Sequence, residues 1–118
     1  MIKLHEFNVN QTLRELNPTD ISFLNLSGYK CYHTQGINGQ NTTIAVIDTG
    51  VSPHIELRGK LLQGRSFVDY TRRPFDDNGH GTHVAGTIAG ANVGAAPGAQ
   101  ILPVKVLDAD GNGTLMLL

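Results

Sequence analysis

The segment His80-Gly81-Thr82-His83-Val84-Ala85-Gly86-Thr87-Ile88-Ala89-Gly90-Ala91 restricts the possible folds more than any other part of the chain. Glycine inside a helix costs about 1 kcal/mol relative to alanine, yet Gly81, Gly86 and Gly90 all fall here among alanines. Nearly bare backbone makes sense where a helix must press closely on a sheet. A helix from near His80 to about Ala91 is therefore predicted, with Val84, Ile88 and Ala91 as its apolar stripe. Upstream, Thr43-Ile44-Ala45-Val46-Ile47 is short, continuously apolar and β-branched, the pattern of a strand buried on both faces of a parallel sheet. It ends at Asp48, and the carboxyl ends of strands in open α/β sheets are where functional residues collect.

The remaining elements follow from their punctuation. Ser27 can cap a short helix over Tyr29 to Gln35, with Gly36 as its stop. Ser52-Pro53 suggests a capped turn with proline at the first helical position. Phe67, Val68 and Tyr70 indicate a second strand between Gly64 and Tyr70, and Ile101 to Leu107 a third. Pro103 lacks a donor, so pairing of that third strand is expected to be one-sided or interrupted. The order strand, strand, helix, strand predicts an α/β domain with a mainly parallel sheet. Residues 1–27 read as an irregular arm in which Pro18 stops any helix begun at Thr12, and Leu115 to Leu118 end apolar, as if inside an element.

The 118 residues leave room for one domain with a modest core. A net charge of −1 gives no electrostatic case for nucleic acid or an anionic membrane surface. Arg58, Lys60, Arg65, Arg72 and Arg73 read as a solvated face with Asp76 and Asp77 beside it. Cys31 is the single cysteine, so no intrachain disulfide and no thiolate metal site can form. With no apolar leader-like start and no stretch of transmembrane length, a cytoplasmic protein is expected.

Asp48 and His80 can serve as an acid–base pair. A neutral imidazole is a good base near pH 7, and a buried carboxylate on its other nitrogen fixes the tautomer. The bland alternative makes Asp48 a turn cap and His80 a helix cap. A metal is the next alternative, since His80 and His83 stand at i and i+3 with Asp76 or Asp77 nearby. Helical zinc sites are better served by i and i+4 with a further ligand, which is absent. Gly111-Asn112-Gly113 is too short for a dinucleotide fingerprint.

At Ala45-Val46-Ile47-Asp48-Thr49-Gly50 and His80-Gly81-Thr82-His83-Val84-Ala85-Gly86-Thr87 the chain resembles the subtilisin-like serine proteases, the subtilases of peptidase family S8. Gly36 to Gln40, Ala96-Pro97-Gly98-Ala99 and Val104 to Asp108 extend the resemblance over about residues 30–114. Asp before His is also the order for which subtilisin is the reference case. The resemblance implies the N-terminal part of a subtilisin-like three-layer α/β fold. Asp48 would orient His80, the base of an Asp-His-Ser endopeptidase, while His83 would be a structural residue of the helix. Leu107, Gly111, Asn112 and Gly113 would form the edge along which an extended polypeptide substrate lies by strand addition.

Two departures are visible. Ser22, Ser27, Ser52 and Ser66 are the only serines, and none stands in the Gly-Thr-Ser-Met-Ala context of the family nucleophile. Residues 28–118 thus read as a partial peptidase domain lacking its C-terminal half, inactive alone. Only Asn92 to Ala95 separates the helix from the Ala-Pro segment, so the loop that holds calcium in many relatives is shortened, and no cofactor is expected. The chain is similar to the intracellular branch of the family, with 1–27 as a short pro-segment-like region. The rival reading is a non-catalytic fragment that binds a peptide or protein, the missing half of the domain included. Self-association through an exposed sheet edge is expected in either case.

Overall fold

The computed structural model describes residues 2–3 and 28–114. In chain order it contains β1 (Ile2–Lys3), α1 (Tyr29–Thr34), β2 (Thr43–Asp48), a 3₁₀ turn (Ile55–Leu57), β3 (Arg65–Ser66), α2 (His80–Ala89), β4 (Gln100–Lys105) and β5 (Asn112–Gly113). The expectations for a helix at Thr12 and an element at Leu115 to Leu118 fall outside the described residues.

The β2, β4 and β3 strands form a parallel sheet in the order β2-β4-β3, while β1 and β5 pair separately and antiparallel. The α/β architecture with a parallel sheet is the one expected. β4 is its central strand, in unbroken register with β2 from Thr43↔Gln100 to Asp48↔Lys105. The interruption foreseen at Pro103 lies wholly on the β3 side. There Ile101 N donates to Lys60 O, Leu62 N to Ile101 O, and Phe67 N to Lys105 O. Ile101 and Lys105 thus bond toward β3, and Pro103, midway between them, turns its missing donor the same way. The strand bends past the gap at Gly64, where an added Cβ would collide with Pro103 O. β3 is accordingly confined to Arg65–Ser66, shorter than the run predicted between Gly64 and Tyr70.

The α2 helix covers one sheet face; of its predicted stripe Val84 and Ile88 pack against the core at its margin, while the fully buried positions are others. Gly81, Thr82, Ala85 and Ala89 are its buried positions, whereas Val84 and Ile88 are half-buried and Ala91 lies exposed beyond the helix end. Small side chains face the strands because the contact is too close for larger ones. A Cβ on Gly81 would collide with Gly50 O. The core is Val46, Val51, Leu57, Ala85, Ala89, Ala99 and Ile101.

The reading of β2 as buried on both faces is corrected. Its burial alternates, with Val46 and Asp48 buried beneath α2 and Thr43, Ala45 and Ile47 exposed. Ile47 is 60% accessible. No described element covers that second face, so a run made for two-sided burial is covered on one.

Three local readings also change. α1 starts at Gly28, in the left-handed region at φ 83°, without a side-chain cap. The 3₁₀ turn is capped by His54, not Ser52, and His54 Nδ1 accepts from Glu56 N at 3.1 Å. Lys60 is no part of a solvated face, since it is half-buried and its Nζ donates to Ala89 O at 2.6 Å.

Candidate active site

Asp48 ends β2 and His80 begins α2, and the sheet-to-helix contact brings them together. His80 Nδ1 lies 2.9 Å from Asp48 Oδ1 and 2.8 Å from Oδ2. A carboxylate can only accept, so Nδ1 donates, and the neutral ring then carries its lone pair on Nε2. The Asp48 side chain is 10% exposed and that of His80 28%, a buried orienting acid beside an accessible ring. Thr49 N donates to Asp48 Oδ1 at 2.6 Å, further fixing the carboxylate.

His80 is held through the start of its helix. The first N–H groups of a helix have no partner within it, and the Gly79 cap, at φ 110°, offers no side chain. Each donor is nevertheless accounted for. His80 N donates to Asn78 Oδ1, Gly81 N to Thr49 Oγ1 and Thr82 N to Asp76 Oδ2, and His83 N begins the helical pattern at Gly79 O. His83 is half-buried within α2, and Thr87 Oγ1 donates to its carbonyl.

Asp76 is the hub of this arrangement. Its Oδ1 accepts from Thr49 Oγ1, Asn78 N and Gly79 N, and its Oδ2 from Thr82 N and Thr82 Oγ1, over 2.6–3.0 Å. Burial raises the Asp76 pKa, but these hydrogen bonds outweigh it and hold the carboxyl below the usual range. Through Thr49 it touches the strand that bears Asp48, and through Thr82 the helix that bears His80. Sequence reading gave Asp76 no such role. A hydrogen-bonding carboxylate just ahead of a helix that opens on glycine was the available signal.

The residues expected to form the peptide edge are placed as follows. Gly111 turns the chain at φ 78°, and Asn112–Gly113 forms β5, paired with β1 as Ile2↔Gly113 and Lys3↔Asn112. Leu107 is buried and packs on Gly113, where a Cβ would come 2.7 Å from Leu107 Cδ2. Asn78 Nδ2 donates to Ala109 O at 2.9 Å, tying the residues before His80 to the loop before β5.

Among the described residues, no three His, Cys, Asp or Glu side chains come close enough to hold a metal ion. The turn after α2 is closed by its own groups. Glu56 accepts from Asn92 N at 2.7 Å and from Asn92 Nδ2 at 2.8 Å, and Ala91 N donates to Glu56 O. Both oxygens of this buried carboxylate are thus engaged by the turn itself.

A parallel α/β sheet thus holds an acid at a strand end, hydrogen-bonded to a histidine at the start of a close-packed helix. Comparison with known proteins gives the family. The Subtilase family model of peptidase S8 matches residues 39–118, and the chain belongs to that family. It is 42% identical over 119 residues to the thermostable alkaline protease of Halalkalibacterium halodurans, covering 97% of this chain and 32% of that protein. Subtilisin BL of Lederbergia lenta is 47% identical over 88 residues, covering 70% of this chain and 32% of its own length. A solved cold adapted subtilisin-like serine proteinase superposes with a TM-score of 0.65 at 46% identity, over 68% of this chain and 30% of that one. The chain spans about a third of the length of these relatives.

Proposed function

We propose that this chain carries the acid–base half of a serine endopeptidase site, in which Asp48 orients His80 and His80 takes the proton of a serine attacking a peptide carbonyl. The observation that carries this reading is the Nδ1–carboxylate contact at 2.8 Å, made between a strand end and a helix start. General base action alone contributes about 10²–10⁴-fold, and amide hydrolysis also needs a nucleophile and oxyanion donors. None of the four serines stands in the Gly-Thr-Ser-Met-Ala context of the family nucleophile, and of the two described, Ser52 Oγ is bonded to Asp76 O and Ser66 Oγ accepts from Val68 N. We assign the nucleophile to a serine-bearing remainder of the catalytic domain, the partner this half-site requires.

The test is complementation. The chain is mixed with a serine-bearing C-terminal portion of a related subtilisin, and hydrolysis of a peptide substrate is followed. Activity should appear only with both pieces, and Asp48→Asn or His80→Ala should lower it by about 10⁴-fold or more, a scale set by subtilisin itself and by trypsin-like enzymes. A fluorophosphonate probe should not label the 118-residue chain by itself. Restored activity indifferent to His80→Ala would refute the assignment.

A second reading, capture of an extended peptide without turnover, is favoured by one observation. β1 already lies antiparallel on Asn112–Gly113, so this edge is able to take an added strand. Peptide binding lost on altering Gly111 to Gly113, with no cleavage, would support it. The exposed thiol of Cys31 supports a reducing, cytoplasmic setting. No described helix is long and apolar enough to cross a membrane.

A further inference from the structure

Lys105 is the largest fully buried side chain among the described residues, at 0% accessibility. A buried ammonium is costly unless paired and hydrogen-bonded. It lies on the last residue of the central strand, in register with Asp48 on β2. Register partners of a parallel pair point to the same face, so a cation and the orienting carboxylate stand side by side beneath α2. Their direct pairing would be the simplest neutralisation, but other groups draw the ammonium away. Lys105 Nζ donates to Thr49 O, the carbonyl following Asp48, and to Asp77 Oδ1 at 2.7 Å. The rings of Phe75 and Tyr70 flank it, with centroids at 5.6 and 5.8 Å. Asp77 is itself fixed by Tyr70, whose hydroxyl donates to Oδ2 at 2.6 Å.

Resting on the assignment of Asp48 and His80 as an acid–base pair, we propose that Lys105, directed by Asp77, is a positioning residue for that pair. It does so in two ways. Bonds from one ammonium to Thr49 and Asp77 lock the end of β2 to the loop that delivers His80. Asp77 also supplies the counter-charge that leaves the carboxylate of Asp48 for the imidazole. Without Asp77, the only carboxylate on the strand beside Lys105 is Asp48, and the ammonium becomes its rival ligand in place of His80.

The experiment uses the full chain and reads His80 directly by nitrogen-15 NMR, following its tautomer and the downfield resonance of its Nδ1–H. The native chain should show the Nδ1–H tautomer with that resonance. Asp77→Asn and Lys105→Met should each lose the resonance or shift it upfield, while Ile101→Val, which perturbs an equally buried residue of the same strand, should leave it in place. Should Lys105→Met not fold, Asp77→Asn decides, because its side chain is partly exposed and the amide keeps the volume. A folded Asp77→Asn chain with an unmoved resonance overturns the proposal while the acid–base assignment stands. A native chain in the Nε2–H tautomer removes the assignment, and the proposal with it.

Discussion

At the scale of single residues, Asp76 shows how much of the site is held by a group that performs no chemistry. Its five accepted hydrogen bonds join the Asp48 strand to the His80 helix, and bonds to an ionised group are worth about 1.5–3 kcal/mol each at most. Because the carboxyl is held below its usual range in the fold, its contribution is fully present above the unfolded value near 4 and is lost as pH falls through the folded value. Asp77 is held low in the same direction, burial again opposing and the bond from Lys105 prevailing, but it is more exposed and adds less. Urea melts between about pH 3 and pH 7 should therefore show stability declining on the acid side. Asp76→Asn should flatten that decline and cost about 2–3 kcal/mol near neutrality. A variant with the native acid limb would show that Asp76 is not its source.

Among the elements, α2 carries two glycines whose neighbours predict opposite outcomes. Gly81 faces Gly50 O with no room for a methyl group, so Gly81→Ala should destabilise by about 3 kcal/mol and disturb the Asp48–His80 contact. Gly86 has nothing within 4 Å of an added Cβ, so Gly86→Ala should stabilise by about 0.5–1 kcal/mol through helix propensity. Thermal melts of the two variants moving in the same direction would contradict this contrast. The helix itself was legible because glycines recurring about once per turn among alanines suit close packing on a sheet and little else. Its core-facing side was legible only in part: Val84 and Ile88 do pack against the core, but Ala85 and Ala89, which they outrank in hydrophobicity, are buried deeper because of the proximity of the sheet. The break at Pro103 was legible from proline's missing donor, but the side on which it falls depends on which neighbour each β4 residue bonds. Asp48 and His80 stood out through their flanking patterns. Lys105 passed as an ordinary lysine, although a charge at the same parity as Ile101 and Pro103 in an apolar strand was a sign of a buried, partnered cation.

At the scale of the whole molecule, one sheet face has no described element over it. Ala45 and Ile47 are exposed on β2, while Gln63, Gly64, Arg65, Phe67, Leu102 and Val104 line a shallow groove beside them. Exposed apolar surface of this kind favours association. The chain is expected to sediment faster as its concentration rises, and Ile47→Lys should suppress this without loss of secondary structure. Concentration-independent sedimentation of the native chain would show that the open face is not adhesive. The two-pair ladder of β1 on β5 has a different consequence. Two pairs add only a few backbone bonds of about 1 kcal/mol, against an ordering cost of about 1–2 kcal/mol per residue, so the ladder lies near balance. A tethered strand nonetheless competes at a high effective concentration. On the strand-addition reading, a free peptide meets a vacant edge only in the fraction of molecules whose β1 is detached, and its apparent Kd is raised by the inverse of that fraction. Lys3→Pro, which removes a donor and disfavours the strand, should tighten binding of an extended peptide by about tenfold, equivalent to a ladder worth about 1.4 kcal/mol. The first few residues of the chain would then set the threshold at which its far end is read.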